Sequence, residues 1–240
     1  SYGWSFALIL SGLSVCVILP LAFMLPGDPR VQKENVVHSS SVSAIREAFG
    51  HRGYVLLTVG FFVCGFHVAF ITVHLPIYVT DLQLAPMVGA IAISLIGVFN
   101  IVGSLLSGVV GQKFSKKLSL SGIYALRAAV LLIFLMAPKS ATVIYLFAAT
   151  MGLLWLSTVP LTVGIVAQVF GIRYMATLFG FVFLSHQLGS FIGVWLGGVL
   201  YDATGSYDLM WQAGVLKGLL AALIHLPIDE KPVARLQQSL

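Results

Sequence analysis

Seven stretches of this chain, roughly 4–25, 54–79, 86–110, 118–137, 142–170, 175–201 and 209–227, are long, apolar and nearly free of charge. A hydrocarbon layer about 30 Å thick is crossed by about 20 helical residues, so each run is long enough to span it. The apolar residues are continuous rather than alternating, which predicts helices and not barrel strands. In lipid a helix satisfies its backbone hydrogen bonds internally. With 59% hydrophobic and only 9% charged residues, the chain carries more apolar surface than one soluble core could hide. The expected fold class is an all-α membrane protein with seven transmembrane helices.

The basic residues lie between the spans instead of forming a patch that would suit nucleic acid. Arg30, Lys33, Arg46 and Arg52 fall in the first connection, Lys113, Lys116 and Lys117 in the third, Arg173 in the fifth, and Lys231 and Arg235 in the tail. The alternate connections hold only Lys139, beside Asp81, Asp202 and Asp208. The positive-inside rule therefore orients a multi-pass protein of the cell membrane with its C-terminus cytoplasmic and its first residue outside. Cys16 and Cys64 sit inside spans without metal-ligand spacing, so neither a disulfide nor a metal site is indicated. No nucleotide fingerprint, catalytic elbow or cofactor motif occurs in any connection, and the chain reads as a non-enzyme.

The first connection, "PGDPRVQKENVVHSSSVSAIREAFGHRG", is much longer than the others and divides the spans into one plus six. Val42, Ile45 and Phe49 recur within it at helical spacing, which predicts a short amphipathic helix on the cytoplasmic face. The remaining connections are short, so successive spans are expected as antiparallel neighbours. Gly189, Gly193 and Gly197 repeat at four-residue steps, a pattern that lets two helix backbones approach closely. A small and polar stripe runs from Gly97 through Asn100, Ser104 and Ser107 to Gly111. Pro160, with Gly164 nearby, predicts a kink or gating bend in the fifth span.

One span, a long loop with an amphipathic helix, and six spans with a basic turn after the second of them together resemble the back half of a major facilitator superfamily transporter. "GVVGQKFSKK" is similar to the superfamily's cytoplasmic gating motif, with Gly108, Lys113, Lys116 and Lys117 matching in character. Gln112 stands where that motif has an acid and Ser115 where it has glycine, so a charge relay through that acid is not implied. "GFHVAFITVHLPIYVTDL", "STVPLTVGIVAQVFG", "RYMATLFGFVFLSHQLGSFIGVWLGG" and "YDATGSYDLMW" resemble the bacterial monocarboxylate-transporter-like branch, near oxalate/formate antiporters. The resemblance implies twelve helices in two halves, alternating access, and a small organic anion as cargo. It also implies that 1–27 holds the last helix of the N-terminal half and 28–53 the central loop. The C-terminal six-helix domain would then be 54–228 and the cytoplasmic tail 229–240. The rest of the N-terminal half is expected upstream.

Ionisable groups inside spans cost about 2.5–3.5 kcal/mol on insertion scales, so each needs a partner or a function. Arg127 is central in its span, and no Asp or Glu lies at matching depth. It is either a carboxylate clamp or a structural arginine that bonds backbone carbonyls. His67 and His74 fall almost on one face with Gly60, a stripe expected to face the cavity, and an imidazole suits cargo binding or proton coupling. Neutral inter-helix hydrogen bonds are the alternative for both, and His74 lies nearer the outer mouth. His186 is expected toward the close-packed glycine face, as a helix-to-helix hydrogen bond ahead of a cargo contact, and Asn100 beside cargo or a neighbouring helix. Trp155 shares a face with Thr158 and Thr162 and is read first as a packing aromatic, with closure over an apolar part of the cargo as the alternative. Lys217 is expected to snorkel. The competing reading is a seven-helix receptor or a non-transporting membrane scaffold.

Overall fold

The computed structural model describes residues 40–237, together with isolated positions 9, 12, 13 and 16. The chain divides into two units, Ser1–His38 and Ser39–Leu240, and the second is the subject here. The expected first span and most of the long connection lie outside the described residues.

The described residues are helical, with no strand among them. The helices are α1 (Ser41–Gly50), α2 (Arg52–Asp81), α3 (Pro86–Lys113), α4 (Lys116–Met136), α5 (Ala141–Leu154), α6 (Thr158–Phe170), α7 (Met175–Thr204), α8 (Asp208–His225) and α9 (Ala234–Gln237). A 3₁₀ turn, Ile172–Tyr174, precedes α7. By length and apolarity α2, α3, α4, the pair Ala141–Phe170 and the segment Ile172–Thr204 can each cross a membrane. The expected last span is present as α8, but Asp208, Gln212, Lys217 and His225 fall among its 18 residues, and it does not reach the same apolarity.

Helix α1 forms as its sequence predicts, with the Ser40 hydroxyl accepting from the Ser43 amide at 3.2 Å. Its docked face differs from the expected Val42–Ile45–Phe49 stripe. Ala44 and Ala48 are the buried positions and Val42 is exposed, because two alanines allow a closer approach than the larger side chains would. Phe49 meets Tyr54 and Phe181 edge-on.

The tightest seam joins α2 to α7. A Cβ on Gly65 would overlap the carbonyl of His186, and one on Gly189 would overlap that of Phe62. On Gly193 it would lie 2.6 Å from the Phe66 carbonyl. Only glycine permits backbones this close, and the seam is then laced by hydrogen bonds. Ser185 Oγ donates to Thr58 O at 2.7 Å, Ser190 Oγ to Gly65 O at 3.2 Å, and Tyr54 Oη to Leu178 O at 2.8 Å. A second seam joins α3 to α5, where a Cβ on Gly103 would overlap the Leu153 carbonyl and one on Gly152 would lie 2.8 Å from Ile96 O. Gly97, part of the expected stripe, faces open space instead.

The span expected over 142–170 is broken. Helix α5 ends at Leu154, residues 155–157 depart from helical form, and α6 starts at Thr158. The bend lies ahead of Pro160 because a proline supplies no amide to the carbonyl four residues earlier, here that of Leu156. Leu156 O accepts from Val159 N at 2.9 Å instead.

Candidate functional site

The break exposes backbone groups that a continuous helix would satisfy, and two neighbouring helices take them. From α4, Arg127 donates through Nε at 3.1 Å and Nη2 at 2.6 Å to Leu154 O, and Nη2 also donates to Trp155 O. From α3, Asn100 Oδ1 accepts from the Leu156 amide at 3.0 Å. Ser104 Oγ in turn donates to Asn100 Oδ1 at 3.3 Å. Arg127 is thus a cap on a helix end, with a charged donor facing the negative pole of the α5 dipole. Trp155 is 7% exposed and belongs to the joint itself.

One side of the guanidinium remains. Arg127 Nη1 is buried and has no hydrogen-bond partner among the described residues. Tyr124, Thr158, His186 and Arg127 gather around Cys64 between α2, α4, α6 and α7. The Arg127 guanidinium carbon lies 5.3 Å from the Tyr124 ring centroid. Cys64 Sγ is 3.3 Å from Thr158 Oγ1, and His186, Tyr124 and Arg127 are all close enough to interact with that thiol. Thr158 and Thr162, one turn apart on α6, are fully buried. His186 Nδ1 donates to Gln187 Oε1 at 3.2 Å, and its ring lies between Phe183, stacked at 5.4 Å, and Phe61 at 5.1 Å. Tyr124 and His186 each meet the Cys64 thiol, so Arg127 Nη1 is the buried donor of this group left without a partner among the described residues.

Tyr124 and Cys64 were not singled out by sequence reasoning. Tyr124 sits one turn before Arg127 and could have been found by that spacing, whereas Cys64 reads as an ordinary apolar residue until its neighbours are known.

The Gly60–His67–His74 stripe packs on other helices. A Cβ on Gly60 would overlap the His225 ring of α8. His67 Nε2 donates to Gly214 O of α8 at 2.9 Å, leaving Nδ1 without a partner among the described residues. His74 Nε2 donates to Val194 O at 3.0 Å, and Nδ1 accepts from Tyr207 Oη at 3.0 Å, which fixes its tautomer. Burial, followed by nearby Asp81, pushes the Tyr207 hydroxyl up to about 12, so it remains a donor at neutral pH. Lys217 rests its ammonium 3.4 Å from the Phe66 ring centroid rather than reaching along its stem to an interface.

At the basic end of the bundle, the turn between α3 and α4 closes on the tail. Glu230 accepts from Ser115 Oγ at 2.8 Å and from the Lys117 amide at 2.9 Å, capping α4. Lys117 Nζ donates to Ile228 O at 2.7 Å and Lys116 Nζ to Gln168 Oε1 at 2.7 Å. Gln168 Nε2 donates to Glu230 O at 3.0 Å. Gln112 and Lys113 are exposed, and Gly108 has no packing neighbour.

Long apolar helices around a buried polar cluster define a polytopic α-helical membrane protein. Residues 1–194 match the Major Facilitator Superfamily, and the chain belongs to that superfamily. It is 27% identical over 243 residues, 97% of its own length, to the uncharacterized MFS-type transporter YcxA of Bacillus subtilis strain 168. The match covers 59% of that relative, so the chain spans well under two thirds of its length.

Proposed function

We propose that this chain forms the C-terminal part of a secondary transporter that carries a small organic anion, of the monocarboxylate class, across the cell membrane by alternating access. The single observation behind this reading is the Arg127 guanidinium. It is 1% exposed, its bonds run only to backbone carbonyls, and its Nη1 has no partner among the described residues, in a group that includes Tyr124, Cys64 and His186. The sequence has no Asp or Glu between positions 81 and 202, so no carboxylate from these positions compensates the charge at the middle of the helices. A bound carboxylate would accept hydrogen bonds from this arginine, and charge-assisted bonds of that kind are about twice as strong as neutral ones.

In this reading 54–228 is the C-terminal half-bundle and 1–27 holds the last helix of the N-terminal half. Residues 28–53 are the cytoplasmic connection and 229–240 the cytoplasmic tail. His186, an imidazole that meets the Cys64 thiol in the same group as Arg127, is the group best placed to link proton and anion, by symport or by exchange. His67, His74, Asn100 and Trp155 support the site by fixing the helices around it. Gly108, Lys113, Lys116 and Lys117 belong to the gate at the basic end.

Counterflow in proteoliposomes of the intact transporter tests this. Vesicles loaded with an unlabelled small carboxylate are expected to accumulate labelled carboxylate transiently, with neutral analogues inert. No counterflow across a panel of mono- and dicarboxylates would overturn the reading.

A further inference from the structure

Arg127 is only partly engaged: its Nε and Nη2 hold the end of α5, while Nη1 has no partner among the described residues. On the opposite side of the joint, Asn100 Oδ1 holds the Leu156 amide. Residues 154–156 are therefore fixed by two side chains from two different helices rather than by helical bonds. The two halves of the broken span are also tethered differently. Helix α5 is clamped to α3 through Gly103 and Gly152, where no added atom would fit. Helix α6 brings Thr158 and Thr162 to the polar cluster and has the Pro160 gap in its first turn.

We propose that the guanidinium is shared between the joint and the cargo, and that Asn100 is the positioning residue that holds the joint for the exchange. This rests on the carboxylate reading above. A carboxylate entering beside Tyr124 and His186 accepts from Nη1 and competes with the carbonyls of Leu154 and Trp155 for Nη2. A charged acceptor wins such a competition over neutral carbonyls in a site screened from water. The cap on α5 is then weakened, and α6 pivots relative to the α3–α5 pair. No bond is made or broken in this step, and the proton inventory is unchanged. Cargo recognition and helix movement then share one side chain, and the differential affinity for the two states is supplied by the anion itself.

The test uses the intact transporter in proteoliposomes with spin labels at Val109 and Ile172, both exposed toward the basic end, one on α3 and one in the turn that directly follows α6. Both labels lie within the same half-bundle, so rocking of one half against the other leaves their separation unchanged. A saturating carboxylate found by counterflow is expected to move the Val109–Ile172 distance by more than about 3 Å. Asn100→Ala, which releases the joint without touching cargo, is expected to show the shifted distance with no cargo present. Its exchange rate should change while KM stays within about twofold. Exchange of carboxylates with no distance change in either protein would overturn this inference and leave the functional reading intact. An Asn100→Ala variant that altered KM alone would also overturn it, since Asn100 would then be a cargo contact. If no carboxylate is exchanged at all, the functional reading fails and takes this inference with it.

Discussion

Arg127 of α4 holds the carbonyl of Leu154 with both Nε and Nη2, and so closes the end of a helix that belongs to a different span. Arginine suits this because its planar fork presents several donors in fixed geometry, whereas lysine offers a point charge. Arg127→Ala should leave the carbonyls of Leu154 and Trp155 without their donor at about 1–3 kcal/mol each. Arg127→Lys should recover part of the melting temperature in detergent but not the affinity for a carboxylate. Equal melting temperatures for wild type and Arg127→Ala would show that the joint does not depend on this cap.

The glycines of the α2–α7 seam should separate into two groups. Gly193 faces the Phe66 backbone, with 2.6 Å to a built Cβ, whereas Gly198 has no atom within 4 Å. Overpacking costs about 1–3 kcal/mol or more where backbone must move. Gly193→Leu should therefore lower the yield of monodisperse protein and its melting temperature, with Gly198→Leu near wild type. Equal loss for both would mean that the seam is looser than the structure has it.

Glu230 accepts from Ser115 Oγ and the Lys117 amide, the work of an N-terminal cap done by a residue 113 positions away. Glu230→Ala should cost about 0.5–2 kcal/mol, as loss of a helix cap does. Hydrogen exchange at the first turn of α4 should rise, with the middle of the helix unaffected. Unchanged exchange at Leu118 and Ser119 would exclude the cap.

Tyr207 donates to His74 Nδ1, and the raised pKa carries a consequence for alkaline stability. Its hydroxyl is held near 12 in the fold against 10.0 for an ordinary tyrosine, so the folded state favours the neutral form. The stabilisation is fully present below pH 10 and is lost as pH rises toward 12. Tyr207→Phe should flatten part of the fall in melting temperature across that window. An unaltered slope would assign the alkaline loss to other groups.

Apolar runs and glycine spacing made the spans legible, because lipid and close packing both act on local composition. The break was legible only in kind. Pro160 announced a bend, but its place at 155–157 depends on which carbonyls find donors, and those donors come from α3 and α4. The Gly60–His67–His74 periodicity predicted a stripe facing the cavity, yet could not say that α8 packs on Gly60 and His67 while His74 bonds Val194 of α7 and Tyr207, since periodicity gives a direction on a helix and not a neighbour. Arg127 illustrates the same limit. Its isolation from acids was visible in the sequence, while its double engagement required the break to be seen. Glu230 was invisible because nothing local ties an acid in the tail to a turn after α3.

The short helix α6 is in effect a lever. Thirteen residues at a rise of about 1.5 Å give an arm of roughly 20 Å, with its fulcrum at Trp155. Its far end is fastened to the tail, where Val233 N donates to Val169 O at 2.9 Å and Gln168 meets Lys116 and Glu230. A tilt of about 10° at the fulcrum carries that end through about 3 Å, a full hydrogen-bond length by simple geometry. Such a travel would be enough to undo the fastening, so three residues of irregular backbone link the buried arginine to the tail.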